Sequence, residues 1–320
     1  MTRPAHPTVL QLLPLPFPQL QSALEESFDV VRLWEAANRQ ETINQVADRV
    51  TLLLTSATTP TRADLIDQLP ALRAICSQGV GFDAIDVAHA QARGIQVSNT
   101  PDVLNDCVAD LAFGLLLTSA RRIAQGDNYV RTNQWGSGPT FPLGSSVHHK
   151  KLGIVGLGRI GSAIAQRAAG FNMHVGYHNR TQRPDTAHTY FGTLAELAEW
   201  SDFLVVATVG GASTRHLINE TILDALGPKG IIVNISRGSV IDETALVQCL
   251  QQGRLGGAAL DVFDNEPTVP DALKSMENVV LLPHIASATT ETRLAMANLV
   301  LENACAFAQN GKLITPIPAQ

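Results

Sequence analysis

KLGIVGLGRIGSAIAQRAAGF, residues 151–171, sets three glycines between a short apolar run and a helical pattern. Leu152 to Val155 has the length and composition of a buried parallel strand. Gly156, Gly158 and Gly161 follow in G-x-G-x-x-G spacing, and Ala163, Ile164, Ala165, Ala168 and Ala169 then recur at helical intervals. Strand, glycine turn and helix in that order are the context a dinucleotide fingerprint needs. Gly156 permits the tight turn, Gly158 lets backbone approach a pyrophosphate, and Gly161 lets the helix pack close to its strand. The helix start supplies unpaired N–H groups and a positive dipole end for phosphates. A bare glycine triplet is often only a turn; here both flanks agree with the functional reading.

The next strand, MHVGY (Met173–Tyr177), is followed by His178, Asn179, Arg180 and Thr181. Enzymes that use NAD place an acid roughly 20 residues past the glycines, on the ribose 2′-hydroxyl. No acid stands in this tetrapeptide. Arg180 can make a forked contact to a 2′-phosphate, which an acid would repel. The sequence therefore predicts NADPH (NADP) in preference to NADH.

The 320 residues are 45% hydrophobic and 16% charged, enough apolar material for two cores. A net charge of −6 argues against nucleic acid or an anionic membrane as the main partner. Cys76, Cys107, Cys249 and Cys305 show neither CxxC pairing nor metal spacing, so no metal is expected. They read as reduced, buried thiols of a cytoplasmic protein. Val9 to Leu20 is apolar but broken by Pro14, Pro16 and Pro18, with no small-residue cleavage site, and is not a signal peptide.

Before residue 100 the pattern alternates. Strands are predicted at Thr8–Leu13, Val30–Leu33, Val50–Thr55, Ala74–Cys76 and Ile95–Ser98, with helices at Pro18–Ser27 and Ala63–Gln68. The turn Ser77–Gly81 ends one of these strands, where small residues can expose N–H groups to an anion. A long helix is then predicted over Val103–Arg122, capped by Thr100 or Asp102, apolar nearly all round and hence buried. The stretch from Arg131 to Lys150, with Trp135 and several glycines and prolines, reads as a functional loop or interface arm. Beyond the fingerprint come strands at Phe203–Ala207, Gly230–Ile235, Gly257–Val262 and Val279–Leu282, and helices at Glu220–Leu226, Asp242–Gln252 and Glu291–Ala308. The pattern is that of two α/β units with parallel sheets.

Arg237, Glu266 and His284 each fall just past a predicted strand. Arg237 could hold a carboxylate through two N–H bonds, and His284 could give a proton to a ketone oxygen. Glu266 could pair with His284 and keep it charged near neutrality.

Longer stretches carry a family resemblance. GVGFDAID (79–86), NTPDVLNDCVADLAFGLLL (99–117), GIVGLGRIG (153–161), VNISRGSVIDETAL (233–246), ALDVFDNEP (259–267) and PHIASAT (283–289) occur in this order. Over essentially its full length the chain resembles the D-2-hydroxyacid dehydrogenase family. YHNRT (177–181), the tryptophan loop and ETRLAMANLVLENACAF (291–307) look most like its NADPH-dependent glyoxylate/hydroxypyruvate reductase branch.

The resemblance implies a Rossmann-type cofactor domain, 100–287, inserted in a flavodoxin-like substrate domain, 1–99 plus 288–320. Both would be doubly wound parallel sheets, with hinges near Asn99 and Ser287. It implies Arg237 on the substrate carboxylate, His284 as acid/base, Glu266 as its partner, and further carboxylate contacts from Val80 and Gly81. Gly156, Leu157, Gly158, Arg159, Ile160 and Gly161 would bind the cofactor, with Asn179, Arg180, Thr181 and Thr208. Ile235, Ser236, Asp261 and Ser287 would complete that site near the nicotinamide. Trp135 would reach a neighbouring subunit's substrate pocket, and a homodimer would form around the helix at Val103–Arg122.

Two departures from the branch stand out. Val209 replaces a usual proline near the adenosine ribose. Ser236 replaces the usual alanine before the arginine, adding a potential hydrogen bond in the pocket. The implied activity is reduction of a small 2-keto acid of the glyoxylate or hydroxypyruvate type to the D-2-hydroxy acid. An NAD-linked phosphoglycerate-type dehydrogenase is opposed by the missing acid, and a formate dehydrogenase by Glu266. A non-catalytic, nucleotide-sensing corepressor is the rival from another class, since fold alone does not fix function.

Overall fold

The computed structural model describes residues 6–319. Its contacts divide the chain into two compact units: one runs to Leu104 and resumes at Ala288, the other is Asn105–Ser287.

In the first unit, strands and helices alternate as β1 (Thr8–Gln11), α1 (Pro18–Ser27), β2 (Asp29–Arg32), α2 (Arg39–Val46), β3 (Val50–Ser56), α3 (Ala63–Asp67), β4 (Ala74–Gln78), α4 (Val87–Ala92) and β5 (Gln96–Ser98). The sheet is all parallel in the order β2-β1-β3-β4-β5, the flavodoxin-like winding. Its strands are apolar on both faces because both are covered. Leu10, Leu53 and Ile75 face a core with Ile66 and Leu69, while Val9, Leu52 and Cys76 face another.

The second unit opens with α5 (Asn105–Arg121) and α6 (Ile123–Arg131). It continues through β6 (Lys151–Val155), α7 (Arg159–Ala168), β7 (His174–His178), β8 (Thr189–Tyr190), α8 (Leu194–Trp200), β9 (Phe203–Val206) and α9 (Glu220–Leu226). The unit ends with β10 (Ile231–Asn234), α10 (Glu243–Gln251), β11 (Gly257–Leu260), α11 (Asp271–Lys274) and β12 (Val279–Leu281). Seven parallel strands lie in the order β12-β11-β10-β9-β6-β7-β8, a doubly wound Rossmann arrangement that reverses between β6 and β9. Because every strand runs the same way, the ends of β6, β7, β9, β10, β11 and β12 share one edge of the sheet. The last helix, α12 (Thr290–Asn310), packs with β4 and α1 of the first unit.

Several sequence expectations need correction. The long helix starts at Asn105 rather than Val103, and the expected cap Thr100 is engaged elsewhere. Thr100 spends its hydroxyl accepting the Gly79 N–H at 3.0 Å, and Asp102 sits at φ 70° in the left-handed region. At its other end Arg122, φ 54°, breaks the chain direction, and a separate helix continues to Arg131. The helix, expected to be apolar nearly all round, carries an exposed stripe of Asp106, Asp110 and Gly114, and both aspartates pair with Arg167 of α7. Only two of the four thiols, Cys76 and Cys249, are buried; Cys107 and Cys305 are half-buried. Several short elements, α2, α4, α8 and β8 among them, carry too little periodicity to be read from the sequence.

Candidate active site

The fingerprint glycines are shaped by what surrounds them. Gly156 has φ +97°, and a Cβ there would lie 2.9 Å from the Ala207 carbonyl oxygen and from Thr208 N and Cα. A Cβ on Gly161 would lie 2.2 Å from the Gly156 oxygen, so α7 can approach the turn only without one. Gly158, at the start of α7, has open space where its Cβ would be, leaving bare backbone beside the first-turn N–H groups of Arg159 and Ile160. That is the cradle a pyrophosphate requires.

At the end of β7, Asn179 Oδ1 accepts the Leu157 N–H at 2.7 Å. Arg183 reaches back from the other side, its Nη1 donating to Leu157 O and to Ser162 Oγ, each at 2.9 Å, while Asp185 pairs with the rest of its guanidinium. Both the N–H and the C=O of Leu157 are therefore held by the loop after β7. Arg180 and Thr181 are exposed, and Arg180 makes no hydrogen bond or ion pair among the described residues. Sequence reading missed Arg183, because its partners lie 26 and 21 residues away and no local pattern marks it. These residues fit a nicotinamide dinucleotide, and Arg180 leaves an exposed cationic side chain on the loop after β7.

Arg237, Glu266 and His284 follow β10, β11 and β12 along the same edge. His284 Nδ1 lies 2.7 Å from Glu266 Oε2, and Glu266 Oε1 accepts the Phe263 N–H at 3.1 Å. With Nδ1 engaged, Nε2 is the ring atom left for chemistry. Burial works against ionisation of Glu266, but the hydrogen bond and charge of His284, the Phe263 N–H and the charge of Arg237 outweigh it, and the carboxyl lies below its ordinary range. Glu266 is a carboxylate at neutral pH.

His284 has φ 54°, a left-handed backbone that a side-chain-bearing residue holds only when its surroundings fix it. Buried Asp261 does so. Its backbone oxygen accepts the His284 N–H at 2.8 Å, and its carboxylate accepts the N–H groups of Ile285 and Ala286 at 2.7 and 2.8 Å. Burial raises the Asp261 carboxyl, against the pull of those two N–H groups and of His284. Ser236 is buried and turns back into the fold: its N–H and hydroxyl both lie within reach of Asn234 Oδ1, at 3.1 and 3.2 Å. Its hydroxyl thus spends its donor internally, contrary to the expected bond in the pocket. Arg237 Nη1 donates to the Ser236 carbonyl at 2.8 Å, which steers the guanidinium.

Ile235 is buried next to Ser236; Thr208 and Ser287 are half-buried loop residues, and Val209 is 63% exposed. Trp135 lies beyond α6, 78% exposed. In the first unit, Val80 and Gly81 follow β4. Gly79 is tied to Thr100, and the Val80 carbonyl accepts Asn99 Nδ2 at 2.8 Å. Among the described residues, neither the Val80 nor the Gly81 N–H has a hydrogen-bond partner.

Fold and site together define an oxidoreductase that binds a nicotinamide dinucleotide. The family profile "D-isomer specific 2-hydroxyacid dehydrogenase, NAD binding domain" matches residues 113–286. Glyoxylate/hydroxypyruvate reductase A from Arabidopsis thaliana is 45% identical over 298 residues, 93% of this chain and 95% of that protein. Hydroxyphenylpyruvate reductase from Plectranthus scutellarioides is equally similar, 45% over 298 residues with 93% and 95% covered. Among solved structures, the NADPH-dependent glyoxylate/hydroxypyruvate reductase from Sinorhizobium meliloti, in complex with NADP and malonate, superposes with a TM-score of 0.90. It is 41% identical, with 98% of each chain covered. The chain belongs to the D-2-hydroxyacid dehydrogenase family.

Proposed function

We propose that this enzyme reduces a small 2-keto acid of the glyoxylate or hydroxypyruvate type to the D-2-hydroxy acid, with NADPH preferred over NADH. The observation that carries it is the 2.7 Å pair of His284 Nδ1 and Glu266 Oε2, on the same sheet edge as the dinucleotide cradle and Arg237. A nicotinamide cofactor, when bound, would supply the hydride that the carbonyl carbon accepts. Arg237 holds the substrate carboxylate through its forked N–H groups, orienting the ketone. His284 gives the proton on Nε2 to the ketone oxygen, and Glu266 stabilises the charged imidazole while fixing which nitrogen faces the substrate. Val80 and Gly81 carry free backbone N–H groups suited to a carboxylate oxygen.

Gly156–Gly161 and Thr208 hold the cofactor's phosphate end, Ile235, Ser236, Asp261 and Ser287 its nicotinamide end. Arg180, with Asn179 and Thr181, reads the ribose. The absence of an acid among His178–Thr181 and the lack of an ion pair at Arg180 among the described residues support NADPH.

The exposed apolar residues Ile123, Val130, Trp135 and Leu143, all within α6 and the loop after it, support a homodimer in which Trp135 lies against the other subunit's substrate. Four free cysteines suit a reducing compartment such as the cytoplasm, and among the described residues no helix is long and apolar enough to cross a membrane.

The test follows oxidation of NADPH and of NADH with glyoxylate, hydroxypyruvate, pyruvate and phenylpyruvate. Turnover favouring NADPH is expected, with the best acceptor naming the substrate. Tight nucleotide binding without turnover on any acceptor would refute the activity, and turnover favouring NADH would refute the cofactor preference.

A further inference from the structure

We infer that Glu243 is a positioning residue for the proton-transfer pair, acting through the backbone that carries Glu266. The inference rests on the reading of His284 as acid and Glu266 as its partner. Glu243 is the first residue of α10, and Asp242 caps that helix by accepting the Ala245 N–H at 3.1 Å. The Glu243 carboxylate leaves the helix and accepts the Asp264 N–H at 2.8 Å. The preceding amide, Phe263 N–H, is the one Glu266 Oε1 accepts at 3.1 Å. Two consecutive donors of one loop are thus taken by two glutamates, one of which also meets His284.

The loop is closed from a third side. A Cβ on Gly238 would lie 1.8 Å from the Phe263 carbonyl carbon and 2.1 Å from Asp264 N, so the backbone after Arg237 lies flush on the Phe263–Asp264 peptide. That peptide is pinned between Gly238 and Glu243, and the Asp264 carboxylate is further held by Arg215. Releasing that peptide would loosen the Phe263 Cα, on which the preceding Val262–Phe263 peptide is hinged, and let the Phe263 N–H of that peptide move off Glu266 Oε1. Glu266 would then keep only one of its two anchors and would be free to rotate off Nδ1.

Glu243 holds its place at some cost. Burial raises its carboxyl; the Asp264 N–H offsets this, while the charges of Asp264 and Glu266 add to the rise. A surface glutamate with freedom to move would turn to water. Its 21-residue separation from Asp264 leaves no local sequence signal.

The experiment compares Glu243→Ala, Glu243→Asp and Glu243→Gln, with His284→Gln as control, reading kcat, the KM for NADPH and the melting temperature. Glu243→Ala, and Glu243→Asp with its shorter reach, should lower kcat by about tenfold or more, since misplacement of about 1 Å at a reacting pair costs up to about a hundredfold. The KM for NADPH should change by no more than about twofold, as for substitutions outside a binding site. Glu243→Gln should restore most of the lost turnover, because an amide oxygen still accepts the Asp264 N–H. If the alanine variant does not fold, the aspartate and glutamine variants make the same comparison.

Wild-type kcat in Glu243→Ala or Glu243→Asp, in an enzyme that His284→Gln disables, would overturn the positioning role alone. Equal loss in all three Glu243 variants would overturn it too. Full turnover in His284→Gln would instead remove the reading on which the inference rests.

Discussion

Replacing Arg180 with alanine removes an exposed guanidinium that makes no hydrogen bond or ion pair among the described residues, so its effect reports on the ligand. A hydrogen bond between charged groups contributes about 1.5–3 kcal/mol. Exposure and salt reduce this, leaving about 1–2 kcal/mol, or about a 5- to 30-fold rise in Kd for NADPH. Arg183, already paired with Asp185 and bonded to Leu157 O and Ser162 Oγ, is not free to substitute fully. NADH lacks the 2′-phosphate, and its Kd should move by no more than about twofold, as for an ordinary surface substitution.

The assay is a pair of nucleotide titrations at low and high salt. The NADPH deficit should shrink as salt rises. Asn179→Asp extends the test, because a carboxylate oxygen can still accept the Leu157 N–H while adding the acid that a ribose 2′-hydroxyl prefers. That variant should gain NADH affinity and lose NADPH affinity. Equal weakening of both nucleotides by Arg180→Ala would refute the reading of Arg180, whatever the enzyme's turnover.

His284→Gln should lower turnover by about 10²–10⁴-fold with NADPH still bound, as measured by steady-state rates and a nucleotide titration; unchanged turnover would exclude His284 as the acid. Arg237→Lys should raise KM for the keto acid and lower turnover, since a point charge replaces a fork; wild-type kinetics would exclude the carboxylate role. For Glu266 the depressed carboxyl fixes a sign. The stability it contributes is present above the ordinary glutamate range and is lost as pH falls through its lower folded value, so acid unfolding curves of the wild type and Glu266→Gln should converge there. Curves that stay parallel throughout would contradict that assignment. Gly161→Ala should weaken cofactor binding and lower the melting temperature, because its Cβ falls 2.2 Å from the Gly156 oxygen; a variant with wild-type binding would show that α7 can shift without cost.

The sequence by itself determined the features in which neighbours along the chain set the outcome. The turn at Gly156–Gly161 needs only a strand before it and a helix after it, and those patterns are local. The alternation of apolar strands with helices likewise settled two parallel α/β units, and strand ends marked Arg237, Glu266 and His284 as candidates. Tertiary structure decided what each candidate touches. Thr100 looked like a helix cap because its spacing allowed it, but the Gly79 N–H competes for the same hydroxyl. Ser236 looked like a pocket donor until Asn234 placed an acceptor beside it. Arg183 holds Leu157 from 26 residues away, and Asp261 holds Ile285 from 24. A hydrogen bond depends on distance and direction in space, and those exist only after parallel strands bring remote loops to one edge of a sheet.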